Sequence, residues 1–264
     1  MHLPRIVPAS SLEDRPQPAV VLTGIEELDA LTGGLPRGAL SEICGPASSG
    51  RSSVLLALMS AMTRNHEFCA LVDASDSFDP QSAAAAGVDL RRVLWIRCSK
   101  KSVVEGRRSM AIIGKNAALG HRPSAIDSVE QALKATDLLL QGGGFGLVVV
   151  DLADIPAAAA RRIPLTSWFR FRRAVEHTPA VLAMLEQEPY AKTCASVVLK
   201  LSAISSQFSA RLQAAGCGLQ ENQPAHAKVL GGLRITAEVV RSAAQGKKPA
   251  RSTAVWKSRT AWAG

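Results

Sequence analysis

Residues 40–62, with the sequence LSEICGPASSGRSSVLLALMSAM, contain the stretch that decides the fold. The apolar run at 40–44 has the length and character of a buried strand, and residues 52–62 have those of a helix. A turn bounded by Gly45 and Gly50 lies between them. This order of strand, glycine-bounded turn and helix predicts a loop at the carboxyl end of a strand in an α/β protein.

The turn has the spacing of a phosphate-binding P-loop, because Gly45 and Gly50 are followed by Arg51 and Ser52. Glycines let backbone N–H groups turn toward phosphates, and the helix N-terminus supplies a positive field. The serine hydroxyl can hold Mg²⁺. We therefore predict a nucleotide site with these loop residues: Gly45, Pro46, Ser48, Ser49, Gly50, Arg51, Ser52 and Ser53.

Arg51 departs from the motif, which has lysine at this position. Lysine presents a compact ammonium to the phosphates, whereas the guanidinium group is larger and planar. The change preserves charge but not fit. We expect that nucleotide binding can survive it and that hydrolysis is less favoured.

Short apolar runs alternate with helical stretches along the rest of the chain. This alternation predicts a mostly parallel sheet with helices on both faces. Two later segments alternate apolar and polar residues around a Gly/Lys/Pro turn, which predicts an antiparallel hairpin at the sheet edge. The predicted strands are 69–72, 93–98, 147–150, 180–185 and 195–201, the helices are 128–141 and 165–177, and the hairpin is 233–241 with 252–257.

Asp151 directly follows the apolar run 147–150, the clearest central strand of the sequence. An acidic residue in this place can orient Mg²⁺ and its water ligands beside a P-loop. Ser52 and Asp151 are therefore the predicted metal ligands. The alternative is that Asp151 only caps the turn that follows the strand.

Composition narrows the class of protein. The net charge is +9, and from residue 228 onward eight basic residues stand against one acid. This segment predicts a surface for nucleic acid or an acidic protein, with a solubilising tail as the alternative. The five cysteines are scattered, which favours a reducing cytoplasm over a zinc or redox motif.

The sequence also indicates where the protein is located and how the chain divides into segments. No apolar run approaches the ~20 residues of a membrane span, and no signal peptide is recognisable, so we expect a cytoplasmic protein without membrane contact. Residues 1–20 are rich in proline and predict an extended arm. Residues 21–258 predict one core domain, and 259–264 a short tail.

Several segments, in the right order, resemble the core of the RecA family. They are TGIEELDALTGGLPRGALSEICGPASSG at 23–50, LVDASDSFDPQSAAAAGVD at 71–89, ALKATDLLLQGGGFGLVVVD at 132–151 and LRITAEVVRSAAQGKKP at 233–249. The resemblance covers roughly residues 20–258. It implies a RecA-like P-loop fold. ATP and Mg²⁺ are the ligands of such a fold, and this chain has either retained or lost them.

The resemblance also shows departures at the site. RecA proteins have Asp-Ala-Glu after the second strand, and the glutamate activates the attacking water; here the triplet ends in Ser75. Serine cannot act as a carboxylate base, so assistance of roughly 10²- to 10⁴-fold is missing unless Asp76 substitutes for it. Gln187 stands at the family's γ-phosphate-sensing glutamine. Few residues then remain, between 186 and 194, for the long DNA-binding loop of RecA.

These departures, together with the basic C-terminal region, make the chain similar to the ImuA group of RecA-related accessory proteins. That resemblance implies an adaptor in bacterial DNA-damage tolerance, the SOS response and translesion synthesis, with weak or absent ATP hydrolysis. The implied partners are an ImuB-like Y-family polymerase homologue, an error-prone DNA polymerase, RecA itself or DNA. The residues predicted to contact DNA or a partner are Arg241, Lys247, Lys248, Arg251, Lys257 and Arg259.

Two alternatives belong to other functional classes. One is an active DNA-dependent ATPase or recombinase that uses Arg51, Ser52, Asp151 and Asp76. The other is a plain DNA-binding module that acts through the basic C-terminal region.

Overall fold

A computed structural model describes residues 19–98, 125–204, 232–242 and 253–259. The helices are α1 (Glu26–Thr32), α2 (Arg51–Arg64), α3 (Pro80–Ala85), α4 (Ala125–Gly142), α5 (Ala157–Ala160) and α6 (Leu165–Val175). The strands are β1 (Val20–Val21), β2 (Leu35–Pro36), β3 (Ala39–Cys44), β4 (Cys69–Asp73), β5 (Val93–Arg97), β6 (Leu147–Asp151), β7 (Val181–Glu186), β8 (Ala195–Ile204), β9 (Gly232–Ser242) and β10 (Thr253–Arg259). Short 3₁₀ turns cover Leu90–Arg92 and Lys192–Cys194.

The described strands β3 to β10 form one sheet in the order β10-β9-β8-β3-β7-β6-β4-β5. The pairs from β8 through β3, β7, β6 and β4 to β5 are parallel. Strands β8, β9 and β10 pair antiparallel, and β10 lies at the edge. The predicted α/β fold, with a mostly parallel sheet and an antiparallel C-terminal strand pair, is confirmed. The turn between β9 and β10 lies outside the described residues.

Aliphatic side chains bury both faces of the sheet. One face packs against α1, α2 and α3 through residues such as Leu28, Val54 and Ala83. The other packs against α4, α5 and α6 through Val129 and Trp168, among others. Strands covered on both faces read as continuous apolar runs, which is why the central strands could be recognised in the sequence.

The first and last described strands are β1 and β10. Val20 belongs to β1, which pairs with β2, and Arg259 is the last residue of β10. Residues 99–124 lie outside the described ranges. Within the ranges that the structure describes, no helix combines the length and the apolar character that crossing a membrane requires.

Candidate nucleotide site

The predicted site residues lie at the carboxyl ends of four neighbouring parallel strands. The P-loop follows β3, Gln187 follows β7, Asp151 ends β6, and Ser75 with Asp76 follows β4. Because β3, β7, β6 and β4 are adjacent and parallel, the topology brings these segments together at the carboxyl ends of the central strands. Ligands of open α/β sheets bind at these strand ends.

The middle of the P-loop is exposed, whereas the glycine at the start of α2 is buried and tightly packed. Pro46 and Ser48 are exposed, whereas Gly50 is buried at the start of α2 with a φ of 95°. A Cβ atom at Gly50 would collide with the Ile235 side chain of β9. Position 50 therefore requires glycine for both its conformation and its close contact.

The start of α2 leaves donors for an anion. No side chain caps this helix, so the N–H groups of its first turn lack a side-chain acceptor. Ser52 is exposed on the same turn. Ser53 lies with its Oγ 3.4 Å from Ser258 Oγ, and the buried Ser49 hydroxyl has no partner within the described residues. This half of the site fits bound phosphate with Mg²⁺ at Ser52.

Arg51 is turned inward and is only 6% exposed. Its Nη1 donates to the carbonyl oxygen of Ala153 at 3.1 Å and to that of Glu186 at 3.0 Å. Its Nη2 lies 4.0 Å from the Asp154 carboxylate. The guanidinium thus ties the P-loop helix to the segments that follow β6 and β7.

Gln187 is engaged in a similar way. Its Nε2 donates to the carbonyl oxygens of Ala153 and Ile155, each at 3.1 Å. Arg51 and Gln187 therefore share the Ala153 carbonyl as an acceptor. Both side chains that were predicted to contact phosphate are bound to the protein's own main chain.

Asp151 is 7% exposed, and its Oδ1 accepts a hydrogen bond from the backbone N–H of Ala153 at 2.9 Å. Burial raises the pKa of Asp151 to about 6, and the neighbouring Asp73 carboxylate acts in the same direction. The hydrogen bond corresponds to the turn-capping alternative. The role of Asp151 as a Mg²⁺ ligand stays a prediction.

The loop after β4 is organised by Asp73, a buried residue that the sequence analysis did not single out. Its carboxylate accepts from the backbone N–H groups of Ser75, Ser77 and Phe78 and from Trp95 Nε1. These four bonds fix the loop without a carboxylate at position 75.

Asp76 is held by Arg97 at the end of β5. Arg97 Nε and Nη2 donate to the two carboxylate oxygens at 2.6 and 2.7 Å, and the Asp76 side chain is only 3% exposed. The Arg97 guanidinium also lies over the Trp95 ring, 4.8 Å from its centroid. A carboxylate bound at both oxygens is poorly suited to accept a proton from water. In this geometry Asp76 therefore does not fit the role of a general base for ATP hydrolysis.

Two further carboxylates lie beneath the site, Glu42 on β3 and Glu186 at the end of β7. Both are fully buried, and Glu42 Oε1 accepts from the backbone N–H groups of Tyr190 and Ala191 at 2.7 and 2.6 Å. Burial and the Glu42 carboxylate raise the pKa of Glu186 well above its usual range. An acid inside the apolar run 40–44 was the signal that could have revealed this pair.

Three of the predicted DNA- or partner-binding residues lie on the described parts of β9 and β10. Arg241 Nη1 donates to the Lys192 carbonyl at 2.7 Å, and Lys257 is exposed on β10. Arg259 is the last residue of β10. Lys247, Lys248 and Arg251 lie outside the described residues.

Sequence comparisons match part of the chain to RecA proteins. The sequence model of the family described as the RecA N-terminal domain matches residues 12–106. Protein RecA of Salinispora tropica is 34% identical over 144 residues, which cover 53% of this chain and 33% of that protein. Protein RecA of Chlorobaculum tepidum is 35% identical over 134 residues, which cover 50% of this chain and 31% of that protein. The chain spans about a third of the length of these curated relatives.

A solved structure described as the RadB recombinase has a similar fold. The match has a TM-score of 0.57 and 15% sequence identity, and covers 90% of this chain and 95% of that one. At this level of identity the likeness shows the fold alone. Together, the partial sequence matches and the fold support a place for this chain in the RecA-like superfamily.

Proposed function

We propose that this chain is a RecA-like accessory protein of bacterial DNA-damage tolerance, which binds partner proteins and does not turn over ATP efficiently. The proposal rests on the two positions where a general base for hydrolysis would lie. Position 75 is serine, and Asp76 is bound at both carboxylate oxygens by Arg97. A protein built to hydrolyse ATP needs a base within reach of the attacking water.

In this proposal, nucleotide binds as a structural ligand and is not turned over efficiently. The P-loop N–H groups would hold the phosphates, and Ser52 with Asp151 would hold Mg²⁺, which neutralises phosphate charge when bound. Arg51 must leave the carbonyls of Ala153 and Glu186 before it can reach a phosphate. Binding therefore competes with two buried hydrogen bonds, and we expect weak affinity.

The ImuA-type role is the finer part of the proposal, and the sequence departures from RecA support it. The connection between β7 and β8 is short and ends in a 3₁₀ turn at Lys192–Cys194. An adaptor for an ImuB-like polymerase homologue, an error-prone polymerase or RecA needs neither a long DNA loop nor rapid turnover.

Partner binding can be tested with purified full-length chain. Calorimetric titration against an ImuB-like protein, an error-prone polymerase and RecA should give a stable complex with at least one of them, without added nucleotide. Failure to bind any of the three would reject the adaptor role.

A DNA-dependent ATPase is the second candidate; it is favoured by Ser52 in the first turn of α2, Asp151 at the end of β6 and Gln187 directly after β7. For this candidate, Asp151→Ala must abolish a measurable rate of hydrolysis. A variant that hydrolyses ATP as fast as the wild type would eliminate it.

A further inference from the structure

The candidate nucleotide site contains two sets of hydrogen-bond donors that differ in their availability. The first set is the backbone N–H groups at the start of α2, where no side chain caps the helix. The buried Ser49 hydroxyl lies in the same loop and has no partner among the described residues. Backbone N–H groups of a P-loop hold the α- and β-phosphates of a nucleotide. This set is therefore available to a diphosphate.

The second set consists of side-chain donors, and these are already engaged. Arg51 Nη1 donates to the carbonyl oxygens of Ala153 and Glu186, and Gln187 Nε2 donates to those of Ala153 and Ile155. The P-loop cation is the group that reaches the β- and γ-phosphates. Gln187 stands, by the resemblance to RecA, at the γ-phosphate-sensing position. Both side chains that would contact a third phosphate are thus bound within the protein.

Release of the Arg51 side chain is unfavourable. Arg51 is buried, and hydrogen bonds from a charged donor contribute more than neutral ones. The carbonyl oxygens of Ala153 and Glu186 would lose this donor if the guanidinium turned toward a phosphate. A triphosphate must compete with these bonds, whereas a diphosphate held by main-chain N–H groups leaves them in place.

Carboxylates around Arg51 also disfavour a third phosphate. Asp73 and Asp151 end the neighbouring strands β4 and β6 and lie opposite each other in the register. The Asp154 carboxylate lies 4.0 Å from Arg51 Nη2, and more than half of its side chain is exposed. Burial, Asp73 and Asp154 all raise the pKa of Asp151, and Arg51 lowers it, so these charges act on one another. The acids therefore offset the positive charge that would attract the additional negative charge of ATP.

We infer that this site is selective for a nucleoside diphosphate over a triphosphate, because Arg51 and Gln187 keep their main-chain acceptors and neither is available to a γ-phosphate. The inference rests on the proposed function, in which nucleotide is a structural ligand, and it names the class of that ligand. A bound diphosphate leaves intact the contacts that tie α2 to the segments after β6 and β7.

Competition binding on the full chain tests this selectivity. A fluorescent ADP analogue is bound in the presence of Mg²⁺ and is displaced by unlabelled AMP, ADP or a non-hydrolysable ATP analogue. We expect ADP to bind at least ~10-fold more tightly than the ATP analogue, because only the latter must break hydrogen bonds from a charged donor. AMP should bind more weakly than ADP, since it lacks the β-phosphate that the loop holds.

Arg51→Lys should remove the selectivity, because an ammonium group cannot bridge both carbonyls and can reach a γ-phosphate. We expect the affinities for ADP and the ATP analogue to come within ~3-fold of each other. Arg173→Lys on the exposed side of α6 is the control and should keep the wild-type ratio. If Arg51→Lys is misfolded by circular dichroism, Asp154→Asn, which removes the exposed carboxylate beside Arg51, must still raise the affinity for the ATP analogue relative to ADP.

The possible outcomes distinguish this inference from the proposed function. Equal or tighter binding of the ATP analogue to the wild type would overturn the diphosphate selectivity, while nucleotide would remain a structural ligand. AMP that binds as tightly as ADP, or an Arg51→Lys variant with the wild-type ratio, would also overturn it. A wild-type chain that binds neither the probe nor any of the three nucleotides would reject both the selectivity and the structural ligand.

Discussion

At the scale of single residues, the P-loop arginine is held by the protein's own main chain. Arg51 donates to two carbonyl oxygens, at Ala153 and Glu186, from a position that is nearly inaccessible to solvent. Hydrogen bonds from a charged donor contribute more than neutral ones. The arginine therefore stabilises the fold while it occupies the end of the sheet where phosphates would bind.

Arg51→Lys should shift this balance. Lysine cannot bridge both carbonyls with a planar group, so we expect the free energy of unfolding to fall by about 1–3 kcal/mol. Affinity for a fluorescent ATP analogue should rise, because the ammonium group is free to reach the phosphates. Chemical denaturation and anisotropy titration measure the two effects. Arg173→Lys on the exposed side of α6 is the control; an Arg51→Lys variant identical to it in both assays would contradict the account.

The buried Glu186 carboxyl gives a pH dependence of stability. The pKa of Glu186 is raised in the folded protein, so the folded state holds a proton that the unfolded chain has released. Stability from this group is full below the unfolded pKa and is lost as pH rises through the folded pKa.

Glu186→Gln should flatten this part of the pH profile. Glutamine keeps the shape and a donor toward Glu42 but does not titrate, so its melting temperature relative to wild type should increase with rising pH. Thermal unfolding at several pH values measures the difference. Glu188→Gln is the control, because Glu188 lies exposed in the same connection and pairs with Arg161. Parallel profiles for the two variants would show that the pKa of Glu186 is not raised in the folded protein.

At the scale of elements, the P-loop depends on the strands that enclose it. Gly50 starts α2 in the left-handed region, and the Ile235 side chain of β9 leaves no room for a Cβ atom there. The carbonyl oxygen of Leu201 on β8 would lie 2.5 Å from a Cβ atom at Gly45. Strands β8 and β9 thus pack against the two glycines of the P-loop.

Gly50→Ala should destabilise the protein by ~2 kcal/mol or more, since it adds both backbone strain and a steric overlap. Gly142→Ala is the matched control, because Gly142 ends α4 and a Cβ atom there would meet nothing within 4 Å. Urea denaturation should show no loss for the control. Similar midpoints for the two variants would disprove the close contact with β9.

The elements were more predictable than their side-chain partners. Strands such as 147–150 were recognisable because burial on both faces makes them continuous apolar runs. Helix α1 was not identified, as its seven residues carry little periodicity. The acceptors of Arg51 lie 102 and 135 residues further along the chain, and the partner of Asp76 lies 21 residues away. Such contacts depend on strand order, which no local pattern contains.

At the scale of the whole molecule, the sheet has a parallel and an antiparallel part. The candidate nucleotide site lies at the carboxyl ends of the parallel strands. Strand β9 of the antiparallel part supports this site, because the Ile235 side chain packs against Gly50. The proposed binding role requires this framework but no ATP turnover.

We propose that the fold retains a phosphate-binding loop but lacks the means to hydrolyse ATP. The most direct test is the steady-state rate of ATP hydrolysis, measured with Mg²⁺ and with or without single-stranded DNA, beside a titration with a fluorescent ATP analogue. The account predicts that wild type and Asp151→Ala have the same background rate. A robust rate that DNA stimulates and Asp151→Ala abolishes would contradict it.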